Sequence, residues 1–314
     1  MRYRLILLLL CCAVLTGCTA DPISLMASPA SSNLPAPSVA NTPVEEDQAV
    51  LWFRFGEEGL LAPETRALTL HRGENPAHAI ITALLSGPSA AAMELRSLFP
   101  RGTELVSLTQ EGGVMFVTLS HHMMNAYPDE PKDWQTDPYW AVEVPLRRVL
   151  AVQSLAATLT ENALAQEVVI LVAQSAAREG ALRLQNSYFC DGRSGVSAPI
   201  TRDESLLLTP SRTAEIILQC CQETDWARLY RYMAHTDRPS QEVLAYTMSE
   251  LPRLTRYEVA GGSLNGSQAV FTVSGATLTG SVESPFNGRI LRLTKERGLW
   301  RVSFSHLTEG GVLR

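Results

Sequence analysis

Hydrophobic and polar positions along residues 49–120 follow two different periods, which predict two strands, a helix and a hairpin. The segments "AVLWFRF" (49–55) and "TRALTLHR" (65–72) are β-branched or alternate in polarity, so each predicts a strand. Asn75-Pro76 offers an N-cap followed by a proline in the first turn, and it precedes an apolar stripe with helical spacing. Glu111-Gly112-Gly113 separates two further strand-like segments and predicts a hairpin.

The next segment begins without a regular period and then becomes helical. Residues 121–144 are predicted to form a loop, and the apolar stripe that follows predicts a helix over 145–163. The segment "EVVILVA" (167–173) is apolar throughout and predicts a buried strand.

The second half of the chain shows helical patterns first and strand patterns afterwards. Thr209-Pro210, Asp225 and Ser240 each provide a cap before a helical segment. Only strand-like segments remain after them: "RYEVAGGSLNGSQAVFTVSG", "TLTGSV", "GRILRLTKE" and "GLWRVSF". This order predicts an α+β unit in which helices pack on a curved antiparallel sheet.

The N-terminus has the pattern of an exported protein. Arg2 and Arg4 precede an apolar run that is too short to span a bilayer. The run ends in Leu15-Thr16-Gly17-Cys18, which resembles the bacterial lipobox, where the signal peptide is cut before the cysteine and its thiol carries lipid. An ordinary signal peptide with a chance cysteine is the alternative. We therefore expect a lipoprotein signal peptide over 1–17 and a lipid anchor on Cys18 at the extracytoplasmic face of the cell membrane.

The segment 18–47 is rich in Ser, Pro, Ala and Asn and lacks a periodic apolar pattern. Such a composition is typical of a flexible tether.

Five motifs in the first half stand in the order found in one family. They are "VLWFRF", "ALLSGP", "FPRGTEL", "GGVMFVTLS" and "LAATLTE" before "VVILVA". In this order they resemble the GerMN domain of bacterial sporulation and germination lipoproteins. The resemblance implies a GerMN-like α+β domain over 48–190 and a role at the cell envelope in sporulation, germination or cell-wall-associated complexes.

The end of the chain resembles a second family. The segment "LTKERGLWRVSF" (293–304) is similar to the last hairpin of nuclear-transport-factor-two-like domains. The resemblance implies a cone-shaped α+β domain over 206–314, with 191–205 as the connection. Because this fold hosts both enzymes and inert modules, it implies no activity.

Charge and cysteine content narrow the function further. The net charge is −6 and no basic stripe is present, so nucleic acid is excluded as a partner. Cys190, Cys220 and Cys221 remain besides the N-terminal cysteines. Cys190 either forms a disulfide with one of the adjacent pair, or Cys220 and Cys221 are small buried residues of a helix.

Candidate chemistry is sparse along the chain. His121-His122 is interpreted as a surface pair at a strand end, and the acidic segment 129–133 lacks the ligand spacing of a calcium loop. Gly192-Arg193-Ser194-Gly195 is not a nucleophile elbow. We predict no catalytic residue, no metal site and no cofactor.

Three large aromatic residues, Trp134, Tyr139 and Trp140, lie in the predicted 121–144 loop and are the binding candidates. The alternative is that their rings cover the core. The sequence thus predicts a binding or scaffolding module for cell-wall or envelope-complex components. The alternative function is an envelope hydrolase that acts on peptidoglycan or a small ligand, with a pocket in the C-terminal domain.

Overall fold

A computed structural model describes residues 44–71, 73–174 and 180–313. The predicted signal peptide, Cys18 and the tether up to residue 43 lie outside the described residues. The last predicted tether residues, 44–47, belong to the first strand. Residues 43–314 form one compact unit, and their division at 190 and 206 into two domains stays a prediction.

The first sheet has three strands in the order β2-β1-β3, and one helix packs on it. Its elements are β1 (Val44–Phe55), β2 (Leu61–His71), α1 (Pro76–Leu85) and β3 (Leu95–Arg96). The cap of α1 is the predicted one, since Asn75 Oδ1 accepts a hydrogen bond from the Ala77 N–H at 3.0 Å. β3 pairs only with the last two residues of β1, so most of that edge of β1 has no neighbouring strand.

The second sheet has four strands in the order β4-β5-β6-β7, joined by one long helix. Its elements are β4 (Leu105–Glu111), β5 (Val114–Leu119), α2 (Trp140–Glu161), β6 (Glu167–Ala173) and β7 (Ala181–Arg183). The predicted hairpin forms between β4 and β5. β5 and β6 run parallel, because α2 carries the chain back across the sheet.

Helix α2 begins five residues before the predicted start at Pro145. Asp137 Oδ1 accepts the N–H groups of Tyr139 and Trp140 at 2.9 and 3.0 Å, and this begins the helix earlier. Pro145 consequently lies inside α2, where it has no N–H to donate to the carbonyl of Ala141. The predicted loop 121–144 therefore ends at Tyr139.

Polar side chains of α2 and of its C-cap, Asn162, hydrogen-bond to the edge of β1 that lacks a neighbouring strand. Ser154 Oγ donates to the Trp52 carbonyl at 2.6 Å, and Thr158 Oγ1 accepts the Trp52 N–H at 3.0 Å. Asn162 accepts the Val50 N–H and donates to the Val50 carbonyl, at 3.0 and 2.8 Å. The helix thus supplies the partners that a neighbouring strand would supply.

The C-terminal part has the predicted order of three helices followed by an antiparallel sheet. Its elements are α3 (Pro210–Glu223), α4 (Trp226–Tyr230), α5 (Gln241–Ser249), β8 (Arg253–Asn265), β9 (Gln268–Thr279), β10 (Val282–Glu296) and β11 (Leu299–Arg301). Thr209, Asp225 and Ser240 cap the three helices as predicted. Register shifts in β8 and β10 mark bulges, which bend the sheet on which α3 packs. The α+β class is confirmed.

The C-terminal part packs directly on the first part, and we call this contact the junction. The Leu208 N–H donates to the Leu61 carbonyl at 2.8 Å, next to a parallel bridge between Leu61 and Leu207. The rings of Phe55 and Tyr232 lie 5.3 Å apart. The predicted connection also pairs with β6, since Ile200 exchanges two backbone hydrogen bonds with Val168.

The three described cysteines are free, and two of them lie inside α3. Cys220 and Cys221 are buried, and burial raises the pKa of Cys220 to about 12. Cys190 is exposed, and its sulfur accepts a hydrogen bond from Arg148 at 2.9 Å. Cys220 and Cys221 therefore act as small apolar residues of a helix. Within the described ranges, no helix is long and apolar enough to cross a membrane.

Replacing Thr158 by valine is expected to destabilise the protein by about 1–3 kcal/mol, because the buried Trp52 N–H then loses its acceptor. Thr160→Val is the matched control on the same helix. Thr160 Oγ1 is buried and has no hydrogen-bond partner among the described residues, so its replacement is expected to be neutral or stabilising. Urea unfolding measures both effects, and equal losses for the two variants would contradict a specific role of Thr158.

Candidate functional site

The three predicted binding residues lie at and before the start of α2. Trp134 begins the short 3-10 helix Trp134–Thr136, and Trp140 is the first residue of α2. The rings of Tyr139 and Trp140 lie 5.3 Å apart and nearly perpendicular, at 83°. Tyr139 is 55% exposed, while Trp134 and Trp140 are half-buried. We call these three residues the aromatic patch.

Two neighbouring arginines of α2 hold the two tryptophans of the patch. The guanidinium of Arg147 lies 5.2 Å from the ring centroid of Trp140, and that of Arg148 lies 5.9 Å from the ring centroid of Trp134. Arg147 also lies over Tyr127 and Arg148 over Tyr188, at 5.5 and 5.4 Å. Each such contact stabilises by about 0.5–2 kcal/mol. The sequence reading missed these arginines, although two adjacent charges in a predicted core-facing helix are a detectable signal.

A buried ion-pair network lies directly beneath the patch. Glu143 is only 5% exposed, and its carboxylate accepts hydrogen bonds from the buried Arg54 and from Arg147. Arg147 reaches Asp129 as well, at 2.7 Å. Burial alone would raise the pKa of Glu143, but the two arginines outweigh it and hold that pKa below its ordinary value. The network ties the first turns of α2 to β1.

The acidic residues around the patch are largely occupied within the protein. Asp129 pairs with Arg147, and Glu130 accepts the Tyr127 N–H and lies 3.8 Å from Arg148. Asp137 caps α2 as described above. Asp129, Glu130 and Asp137 are therefore engaged within the protein, whereas Asp133 is exposed.

The patch lies outside the buried core, whose members include no residue of the three. The rings of Trp140 and Trp134 cover Arg147 and Arg148 on one side. This agrees in part with the alternative that the rings cover the core. A binding role for Trp134, Tyr139 and Trp140 stays a prediction.

The histidine pair is arranged differently from the expectation. His121 and His122 begin the 3-10 helix His121–Met124, and their ring centroids lie 4.1 Å apart. The pair therefore follows the end of β5 by two residues, and its rings lie against each other. In the part of the chain that the structure describes, no group of three His, Cys, Asp or Glu side chains is placed to hold a metal ion.

Replacing Glu143 by glutamine is expected to destabilise the protein by about 3 kcal/mol at neutral pH, because the buried Arg54 loses its charged partner. The folded-state pKa of Glu143 is lowered, so its contribution is present above about 4.5, the ordinary value, and is lost as the pH falls through the folded-state pKa. The difference between the two proteins in urea unfolding should therefore shrink on acidification below pH 4.5. Glu215→Gln, in an exposed pair with Arg212, should change stability by less than about 0.5 kcal/mol. Similar losses in both variants would contradict the importance of the buried network.

Residues 53–176 match the Germane family, described as sporulation and spore germination. No curated protein matches the chain.

Three solved structures are similar to parts of the chain. A SEC-C motif-containing protein from Rhodopseudomonas palustris is 18% identical over 31% of this chain and 76% of its own, with a TM-score of 0.27. The tandem GerMN domains of the sporulation protein GerM from Bacillus subtilis are 14% identical over 50% of this chain and 46% of theirs, with a TM-score of 0.31. A Clostridium perfringens protein described as a lipoprotein is 19% identical over 43% of this chain and 80% of its own, with a TM-score of 0.24. The chain thus spans less than half of the GerM structure.

The family match includes the last three residues of the opening strand, the "ALLSGP" helix end, the hairpin and α2, which are features that suggested the GerMN resemblance. The Germane match thus falls within the region, 48–190, for which the sequence implies a GerMN-like domain.

Proposed function

We propose that this chain is a lipid-anchored envelope protein that acts by binding and not by catalysis. Its Germane domain would contact cell-wall or envelope-complex components in sporulation or germination. The observation that carries the proposal is the aromatic patch, whose partly open rings are supported by arginines and a buried ion-pair network.

The patch is suited to binding because its rings are already held in place. Aromatic side chains bury a large area and lose little conformational freedom when a partner covers them. Trp134 and Trp140 each rest on a guanidinium, and Tyr139 packs edge-on against Trp140. Open ring faces of this kind stack on the apolar faces of sugars or dock into a pocket on a protein partner.

The lipid anchor would keep this surface near the membrane. A Ser- and Pro-rich tether between Cys18 and Val44 has about 25 residues, which gives an average reach of roughly 30 Å. Two or more acyl chains anchor a protein stably, because each buried methylene contributes about 0.8 kcal/mol. The Germane domain would thus act within a few tens of ångströms of the bilayer.

The alternative function, a hydrolase with its pocket in the C-terminal part, is less well supported. A cavity of about 290 Å³ lies between α3, α4 and α5 and is lined by Cys221, Trp226 and Arg253, among others. Burial raises the pKa of Cys221 well above its ordinary value, so the thiol stays protonated at neutral pH. A protonated thiol is a poor nucleophile. The Cys221 thiol is therefore not an activated nucleophile in this cavity.

Replacing Trp134, Tyr139 and Trp140 together by alanine is expected to weaken binding to isolated cell envelope at least tenfold. Truncation of aromatic anchors commonly costs about 2 kcal/mol or more. Tyr246→Ala is the control, because Tyr246 is 71% exposed on α5 in the C-terminal part. Co-sedimentation with envelope fragments measures binding, and thermal unfolding measures stability.

Unchanged binding by a stably folded triple variant would contradict the proposed patch. If the triple variant loses stability, the single variant Tyr139→Ala decides, since that ring is mostly exposed. New products from muropeptides incubated with the purified protein would overturn the non-enzymatic part of the proposal.

Replacing Cys18 by alanine is expected to leave the protein without a lipid anchor. The same change removes the residue at which the signal peptide would be cut, so the precursor should keep its larger size. Globomycin treatment of the wild type should produce the same larger precursor. If neither treatment changes size or fractionation, the lipid anchor is disproved.

A further inference from the structure

A cavity of about 660 Å³ opens at the junction, away from the aromatic patch. One wall is the segment 89–95 that leads into β3, and the opposite wall is the turn between β10 and β11 with the segment after α4. The turn lies close to β2, because a Cβ on Gly298 would come within 3.0 Å of the Pro63 carbonyl oxygen. The volume falls in the range of ordinary small-ligand sites.

Part of the cavity wall is apolar. Ala91, Ala92, Met93, Leu95 and Leu299 all line it. Met93 is 76% exposed, which is unusual for a large apolar side chain, whereas Leu95 and Leu299 are buried. The wall would therefore gain contact area if a ligand with an apolar body entered.

Three titratable side chains of the cavity already have partners within the protein. Glu64 is occupied by Arg66 and by the Ser89 N–H. Glu94 pairs with Arg301, and His235 pairs with Glu296 at 3.0 Å.

Two further arginines line the cavity without a carboxylate partner. Arg238 lies over the ring of Tyr230 at 4.7 Å, and Arg297 occupies the turn before β11. Neither forms an ion pair with any described residue. The cavity therefore carries an excess of positive charge, in a protein whose net charge is negative.

The third arginine of the cavity is itself buried. Arg301 is 1% exposed, and its Nε N–H has no hydrogen-bond acceptor among the described residues. Its charge is compensated by Glu94 at the rim and by Glu296 at 3.9 Å, which His235 shares. A buried guanidinium with an unsatisfied N–H is costly, and an anion nearby would lower that cost.

We propose that the junction cavity binds a small organic carboxylate whose body carries short apolar side chains. The carboxylate would be held by Arg238 and Arg297, since guanidinium groups bind carboxylates through two parallel hydrogen bonds. The small side chains would contact Met93 and Leu299. This site is separate from the aromatic patch, so its failure would leave the proposed function intact.

The experiment compares N-acetyl-dialanine with its C-terminal amide by calorimetry, using the full chain purified in mild detergent. The acid is expected to bind with one-to-one stoichiometry, and the amide at least tenfold more weakly. Affinity for the acid should fall as the salt concentration rises. Equal affinities for acid and amide, or no binding of either at millimolar concentration, would overturn the proposal. Inorganic phosphate that binds more tightly than the acid would also overturn it, because the site would then select a simple anion.

Two sets of variants test the assignment to residues. Arg238→Ala with Arg297→Ala should weaken binding of the acid at least tenfold. The matched control is Arg256→Ala with Arg292→Ala. It removes two exposed arginines of the C-terminal sheet that do not line the cavity, and it should leave the affinity for the acid unchanged. If the first double variant fails to fold, the variant Met93→Glu tests the site instead. It adds a negative charge at an exposed cavity residue and should abolish binding of the acid. Unchanged affinity in a folded variant of either kind would disprove the site.

Discussion

The hydrogen bonds from α2 to the edge of β1 are the interaction on which the rest of the Germane-matching region, residues 53–176, depends. An edge without a neighbouring strand leaves N–H and carbonyl groups that need partners when they are buried. Ser154, Thr158 and Asn162 supply these partners to Trp52 and Val50. Four helical residues rise about 6.0 Å and two strand residues about 6.6 Å, so the two repeats match over a short distance. The match requires α2 to lie along β1 from Ser154 to Asn162.

Both candidate surfaces follow from the position of β1. Near its C-terminal end, Arg54 binds Glu143 and so holds the first turns of α2, which begin at Trp140 of the aromatic patch. At the very end, Phe55 packs on Tyr232, and the Gly56 N–H donates to the Glu94 carbonyl at 2.7 Å. The last contact holds the segment that contains Met93 against the junction. One strand thus positions an exposed aromatic surface on one side and a charged cavity on the other.

Local patterns predicted the elements whose signals lie within a few residues. Asn75, Thr209, Asp225 and Ser240 all cap helices, as their positions before apolar stripes indicated. The predicted start of α2 at Pro145 is wrong, because Asp137 begins the helix five residues earlier.

The contacts that the sequence did not predict join residues that lie far apart in the chain. Arg54 and Glu143 are 89 positions apart, and Glu94 and Arg301 are 207 apart, so no local window contains both members of either pair. The hydrogen-bonding residues of α2 did leave a signal, since Ser154, Thr158 and Asn162 are polar and spaced by four in an apolar helix.

The two surfaces differ in how their charges are used, and this difference decides what each can select. Around the patch, the carboxylates of Asp129, Glu130 and Glu143 pair with arginines of the protein itself. The neutral rings are therefore left to contact a partner. In the cavity, Arg238 and Arg297 have no carboxylate partner among the described residues. The negative net charge of the whole chain does not cancel them, because at physiological ionic strength charges farther away than about 8 Å are largely screened. An anion that reaches the junction therefore responds to the nearby guanidinium groups, while a partner at the patch responds mainly to shape and apolar area.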